Sequence, residues 1–365
     1  MRTCVIDAGS TSVRAVVYED RRMLDFDSLP LERKNPRPGY VELDPKEIFG
    51  KAKTLLDSAI DKWKVDAIAI TNQRTTSVLW DVKTKENIFP SLTWQDIRAK
   101  PIADALNSLG ILKVGKVLGR LTSLIYPIAK ESRRVNYLVT VSKLSFKPNH
   151  ASVHLMWMLQ NLRDFNVERL RFGTIDSWLL YNLCGEHSTD FTNASATGIY
   201  DIFYEKWSEN ILRIIGFPEE NLPEIKPSDS VFGEYRGIPI CSIVADQQAS
   251  LFAQACFEEG EIKCTNGTGS FVDLNVGEKP KASLGGLIPM VGVGIRRMRR
   301  YILEGYVSFT GSSIEWLKDI GILKTPEESE KLALRSGDEN VLIVPSFTGL
   351  GTPHYSEISA MFYGI

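Results

Sequence analysis

The chain shows no excess of charge of either sign. Its 365 residues hold 43 Lys and Arg against 45 Asp and Glu, a net of −2. That balance gives no electrostatic reason to expect nucleic acid or an anionic membrane as partner. Cysteine is sparse: Cys4, Cys184, Cys241, Cys256 and Cys264 are scattered, with no C-x-x-C spacing. This speaks against a structural zinc or disulfide framework and for a reduced, cytoplasmic setting. The four histidines form no ligand cluster. His150 and His154 are four apart, but no Glu or Cys at metal-ligand spacing accompanies them. No apolar run approaches the roughly 18 residues that span a bilayer. The opening MRTCVIDAGST runs straight into a strand pattern and lacks signal-peptide architecture.

What is present is an ordinary globular composition, 43% hydrophobic and 24% charged, long enough for two domains. The stretch around which the rest converges is Ser242–Phe271. An apolar run ends at Asp246, an apolar helical segment follows as far as Gly260, and a short strand then breaks at Gly267-Thr268-Gly269. A carboxylate near a phosphate-cradling turn is what phosphoryl transfer to an alcohol needs, because that chemistry is mostly positioning and charge stabilisation. Taken alone, the same residues also read as a helix N-cap followed by a hairpin turn.

Arg2–Asp7 reads as a strand ending in an acid, and Ala8-Gly9-Ser10-Thr11-Ser12 as a turn into a second strand, Val13–Tyr18. Backbone N–H groups and hydroxyls in such a turn can hold phosphate oxygens, and Asp7 can hold Mg²⁺ through its waters. The pattern is common in hairpins. It gains weight because Gly267-Thr268-Gly269 is a second such turn, so that two phosphate hairpins would clasp a nucleotide between lobes.

Asp44-Pro45-Lys46-Glu47 is a capping box, followed by an amphipathic helix through Trp63. The strand Val65–Thr71 delivers Asn72-Gln73-Arg74, and Phe89–Thr93 delivers Trp94-Gln95-Asp96. Arg, Trp, Gln and Asp at neighbouring strand ends make a polar pocket with an aromatic wall, suited to a polyhydroxy ligand. A structural Trp beside an exposed ion pair is the alternative. Residues 101–147 show a helix over Leu106–Leu121 and then no clean period. Asp190–Thr197 reads as a loop, and a boundary is placed between 245 and 246. Gly285–Val293 and Tyr301–Leu303 read as a hairpin with a basic tip, Arg296–Arg300. Gly311-Ser312-Ser313 opens a helix that offers a further phosphate or nucleoside contact. Asn340–Pro345 reads as a buried strand and Phe347–Tyr355 as a glycine-rich loop.

The blocks IDAGSTSVRAVV, RPGYVELDPKEIF, ITNQRTTSVLWD, LTWQDIRA, FGTIDSWLLYNLCG, DFTNASATGIYDI, ADQQASLFAQACFEEGEIKCTNGTGSF, ILEGYVSFTGSSIEWLKD and VPSFTGLGTPHYS span almost the whole chain. In that order they resemble the FGGY carbohydrate kinases, and within them the glycerol-kinase branch. The resemblance implies an α/β fold of the actin/Hsp70/hexokinase (ribonuclease H-like) group, with an ATP cleft between two lobes. Residues 1–245 would form the first lobe and 246–365 part of a second lobe that is incomplete in this chain. It implies Asp246 as general base with Gln247 beside it. Ser10, Thr11, Ser12, Arg14, Gly267, Thr268, Gly269 and Gly311 would meet ATP, with Glu315 near the nucleotide. Asp7 and Asp246 would hold Mg²⁺, and Arg74, Thr75, Trp94, Asp96 and Phe271 would serve the substrate.

There are departures from that pattern. Thr75 stands where glycerol kinases have a glutamate, replacing an acceptor of substrate hydroxyls by a shorter neutral group. Losing such a partner costs about 1–3 kcal/mol. The family's substrate tyrosine falls near 126–150, where the chain carries extra residues, and that role is not carried over. Relatives also continue past the position of Ile365. The expectation is a polyol or sugar kinase, completed by a separate chain. The alternatives are a xylulokinase-type pentulose kinase and a non-catalytic ATP-binding subunit.

Overall fold

Three strands that end side by side set the position of the site. In a computed structural model, Arg2–Ala8 pairs in parallel with Ala67–Asn72, which pairs in parallel with Ile238–Ala245. The register places Ala8, Asn72 and Ala245 abreast, so Gly9, Gln73 and Asp246 all leave the sheet at one edge. Ligands gather beyond such carboxyl ends in α/β sheets. The structure describes residues 1–163, 166–307, 309–337, 340–347, 350–352 and 358–364, and for 111–113 the backbone alone.

Ser12–Glu19 and Arg22–Pro30 extend this sheet as an antiparallel meander, and Gly233–Tyr235 closes its other side, making six strands. The inward positions alternate along the strands: Cys4, Ile6 and Ala8 on one, Val13, Ala15 and Val17 on the next. Helix Pro45–Trp63 covers that face with Ile48, Ala52, Leu55, Leu56 and Ala59. Each Ile or Leu buried there contributes about 1.5–3 kcal/mol. Asp44 caps the helix through the Lys46 N–H at 2.9 Å, whereas Glu47 accepts from the Glu32 N–H at 3.2 Å and not from Asp44, so half of the expected box forms. A second core forms around Leu79, Phe172, Trp207 and Leu155.

Beyond residue 246 the architecture changes. Four antiparallel strands lie in the order Ile262–Asn266, Ser270–Gly277, Met298–Val307, Ile288–Ile295. Helix Asp246–Ala253 joins the two sheets. It stops seven residues short of Gly260, because Ala255 adopts a left-handed φ of 55°.

Other segments depart from the expectations. Residues 100–143, only partly legible in sequence, form helices Lys100–Ser108, Gly110–Ala129 and Arg133–Lys143. Asp190–Thr197 is a short helix, Phe191–Ala196, capped by Asp190 through the N–H groups of Thr192 and Asn193. The expected buried strand near 340 is Leu342–Val344, paired among the described residues with Met361–Tyr363 alone, and Leu342 and Ile343 are exposed. The basic tip is tighter than expected. Arg299 and Arg300 lie within the strand and pair with Glu205 and Glu278. Much of the Phe347–Tyr355 loop, His354 included, lies outside the described residues.

Candidate active site

A cavity of about 990 Å³ lies where the strand ends meet the second sheet. Its wall contains Ser10, Arg74, Thr75, Trp94, Asp246, Gln247, Gly267, Thr268, Gly269 and Phe271. Residues more than 200 positions apart in sequence thus converge on one space.

Asp246 begins its helix at the centre of this space. Its carboxylate accepts from the Gln247 N–H at 2.7 Å, and the Arg74 Nε stands 4.0 Å away. Burial in the cleft holds this carboxyl above the ordinary Asp range; Arg74 opposes the shift and Asp7 adds to it. A carboxyl raised in this way is a better proton acceptor for an alcohol than a free aspartate.

Arg74 is the hub of the opposite wall. Its Nη2 lies 2.8 Å from Glu304 Oε2, its Nη1 reaches Met290 Sδ at 3.5 Å, and its guanidinium sits 5.4 Å from the Phe271 ring. Glu304 is buried, and burial pushes it up to about 7 against the pull of Arg74. Phe271 meets Trp94 edge-on at 6.3 Å and stacks on Tyr306 at 5.9 Å. Lys147 lies behind Tyr306, donating to its hydroxyl at 3.1 Å and to Thr352 Oγ1 at 2.6 Å. Burial brings that amine down to about 8.

Thr75 is unusual among the wall residues. It adopts a left-handed φ of 60°, costly for a β-branched residue, and its Oγ1 is buried without a hydrogen-bond partner.

The second turn is built for close approach. Gly267 N–H donates to Gly269 O at 2.9 Å, and the helix Gly311–Asp319 docks on the same turn. Gly311 N–H donates to Gly267 O at 2.9 Å and Ser312 N–H to Thr268 O at 3.1 Å. A Cβ on Gly311 would lie 2.5 Å from Gly267 O, so only glycine fits. Gly311 therefore shapes the turn from behind, while Ser312 lines the cavity.

Several expected residues lie elsewhere. Asp96 is fully buried, and its carboxylate accepts from Val41 N–H and from Arg98 at 2.7–3.0 Å; it is a structural partner off the cavity wall. Thr11 and Ser12 have their carbonyls bonded to Leu31 and Gly9 N–H and are not on the wall. Arg14 donates to Asp7 at 2.8 Å across the strand pair, which removes both from the wall. Glu315 is exposed and pairs with Lys318. Among the described residues no group of three or more His, Cys, Asp and Glu could hold a metal ion. His154 is buried and His150 half-buried on the cavity wall, and desolvation drives them down to about 4 and 3 respectively. They are neutral, and His154 bonds Ser77 and the Asp96 carbonyl.

Sequence reasoning missed Glu304, Tyr306, Asn149 and His150, all on the wall. A glutamate inside the apolar strand YILEGYV was a signal, since an unpaired carboxylate is not tolerated there. Asn149 donates to the Trp94 carbonyl at 2.8 Å; nothing in its local pattern marked it. Tyr126 and Tyr137 face other surroundings, bonding Ala282 O and packing on Phe203 respectively.

A carboxylate of raised proton affinity, a glycine turn open to phosphate and an aromatic-walled polar pocket define a phosphoryl-transfer class of site. Comparison with known proteins narrows that class. Residues 3–130 and 119–253 match the N-terminal domain of the FGGY family of carbohydrate kinases. Over 365 residues the chain is 47% identical to an uncharacterized sugar kinase of Archaeoglobus fulgidus, covering 99% of this chain and 74% of that protein. It is 35% identical to glycerol kinase of Bacillus licheniformis, covering 99% and 72%. The crystal structure of Plasmodium falciparum glycerol kinase with ADP superposes with a TM-score of 0.83 at 28% identity, covering 100% of this chain and 73% of that one. The chain belongs to the FGGY family of carbohydrate kinases and has its mixed α/β, actin- and hexokinase-like fold.

Proposed function

We propose that the chain transfers the γ-phosphoryl group of ATP to a hydroxyl of a small polyol or sugar, with lobes over 1–245 and 246–365 closing on the two substrates. Asp246 is the general base. It takes the proton of the acceptor hydroxyl as that oxygen attacks the γ-phosphorus, the bond to the ADP oxygen breaks, and ADP leaves. Ser10 and the 267–269 turn receive the phosphates, Gly311 holding that turn in shape. Arg74, Thr75, Trp94, Gln247 and Phe271 orient the acceptor, with Glu304 fixing Arg74. Asp246 would hold a Mg²⁺ from the cavity wall, and Asp7, one residue before its strand ends and paired with Arg14, would act on it from behind, two strands away. When bound, that ion neutralises charge on the transferring phosphoryl group.

The observation that carries this reading is the position of Asp246, between the Arg74 wall and the glycine turn in one cavity. Thr75 favours an acceptor other than glycerol, a pentulose included, because the wall next to Arg74 has no carboxylate at this position and the threonine hydroxyl is buried. Replacing Asp246 by Asn should lower kcat by at least about a hundredfold, as loss of a general base does. Acceptor binding measured by calorimetry should stay within about twofold. An unchanged kcat would remove Asp246 from the chemistry. A screen over glycerol, erythritol, pentuloses and inositols identifies the acceptor.

A partner chain that covers the open apolar faces of the second sheet region is part of this reading. Exposed Ile262, Val272, Leu342, Met361 and Tyr363 support this, since apolar side chains spread over two sheets leave faces to be covered. Size-exclusion chromatography tests it: a well-behaved monomer with full ATP affinity counts against a partner.

A further inference from the structure

The helical hairpin Gly110–Ala129 and Arg133–Lys143 contributes nothing to the cavity wall. Its first helix packs on the second through small residues. Gly119 lies so close that a Cβ would collide with Ser142, and Gly115 faces Val141. A different face is left open. At 100° per residue, Val114, Val117, Leu118, Leu121, Leu124, Ile125 and Ile128 fall within an arc of about 120°. All seven are exposed, from 50% at Ile125 to 92% at Ile128. Single exposed apolar residues are normal; a continuous stripe along a 20-residue helix is not.

The charge beside the stripe identifies its occupant. Residues 110–143 carry seven Lys and Arg and one acid, Glu131, in a chain whose net charge is −2. The even balance of the whole chain hides this local excess. Arg120 lies about 40° beyond one edge of the apolar arc and Lys116 about 80° beyond the same edge, and Arg134 is exposed at the turn of the hairpin. We propose that this face lies on an anionic lipid surface, the stripe entering the headgroup boundary and the basic flank meeting lipid phosphates. The helix does not cross the bilayer: among the described residues no helix is long and apolar enough to do so. A second copy of the chain suits the face less well. In a two-fold contact each copy would bring the same basic excess, with Glu131 the one acid of the hairpin to answer it.

The test is sedimentation of the full chain with vesicles of phosphatidylcholine alone or mixed with phosphatidylglycerol. Binding to the mixed vesicles should exceed binding to pure phosphatidylcholine by at least about tenfold at about 0.1 M salt and fall at about 0.5 M. Leu121→Asp with Leu124→Asp, and separately Lys116→Glu with Arg120→Glu, should each weaken it by about tenfold or more. Both variants should keep the parent melting temperature, because the substituted side chains face water. Equal binding to both vesicles, or none to the mixed ones, overturns the proposal. So does a lipid-free dimer that Leu121→Asp with Leu124→Asp converts to monomer, which would make the second copy the occupant.

Discussion

At the scale of single residues, the site concentrates strain and desolvated charge. Thr75 holds a left-handed φ that costs about 1–3 kcal/mol in a β-branched residue. Asparagine tolerates that backbone, so Thr75→Asn should stabilise the fold by about 1 kcal/mol in urea unfolding. The same change should alter kcat/KM for the acceptor, since it replaces a side chain that lines the wall. A stability loss instead would mean that the strain is relieved by contacts of the threonine methyl. Glu304 carries a pH signature. Its folded value of about 7 lies above its ordinary 4.5 because burial outweighs the attraction of Arg74. Between these values the folded chain binds more protons than the unfolded one. The contribution of this group to stability is therefore full below about 4.5 and is lost as pH rises through about 7. Glu304→Gln should flatten the fall of unfolding free energy across that window, and an unaltered slope in the variant would assign it to another buried acid. The two sites also differ in how far sequence could expose them. A lone glutamate in an apolar strand was visible as an anomaly, whereas the backbone angle of Thr75 follows from the strand ends around it and leaves no mark in composition.

At the scale of elements, legibility followed locality. The Asp44 cap, the strand that delivers Arg74 and the hairpin around residue 9 are set by neighbours within a few positions, and all three were readable. Asp96 was misread because its partner choice is a matter of packing. Arg98 lies two residues on and lies 4.1 Å from the Tyr40 ring centroid, which holds the guanidinium where it takes the Asp96 carboxylate. Helix 191–196 was hidden for the same reason. Asp190 nucleates it and in turn accepts from Ser228 at 2.6 Å, a contact 38 residues away. Removing Asp96 should act through folding: Asp96→Ala leaves Arg98 with Glu42 as its one acidic partner among the described residues and should cost about 3–5 kcal/mol in unfolding experiments. If stability holds and only acceptor binding falls, Asp96 belongs to the site after all. The Gly267–Gly269 turn and the helix at Gly311 form one unit by backbone contact. Gly311→Ala should raise KM for ATP by about tenfold or more with the acceptor KM little changed, because a methyl cannot enter the 2.5 Å gap.

At the scale of the whole molecule, the cleft depends on two bodies of unequal strength. The first rests on two extensive clusters, the second of which also takes in Val276, Val291, Tyr301 and Leu303 of the later sheet. The sheet that carries Phe271, Glu304 and Tyr306 has a separate cluster of five buried residues, Leu251, Cys256, Met290, Val293 and Ile302. Hydrophobic burial sets local stability, so the weaker body opens at lower free energy than the stronger one. Contacts that bridge them, among them Arg74 with Glu304, Trp94 with Phe271 and the packing of Val291 and Leu303 into the larger cluster, are lost in that opening. The chain should therefore unfold in two steps in urea. Hydrogen exchange should show the amides of 262–307 exchanging well before those of 67–72 and 238–245. A nucleotide that bridges Ser10 and the 267–269 turn binds only the closed form, and at a hundred times its Kd it should add about 2.7 kcal/mol to the opening of the weaker body. Uniform protection across both sheets would show that the cross-cleft contacts alone already make them a single cooperative unit, and the closing of the jaws would then owe nothing to the nucleotide.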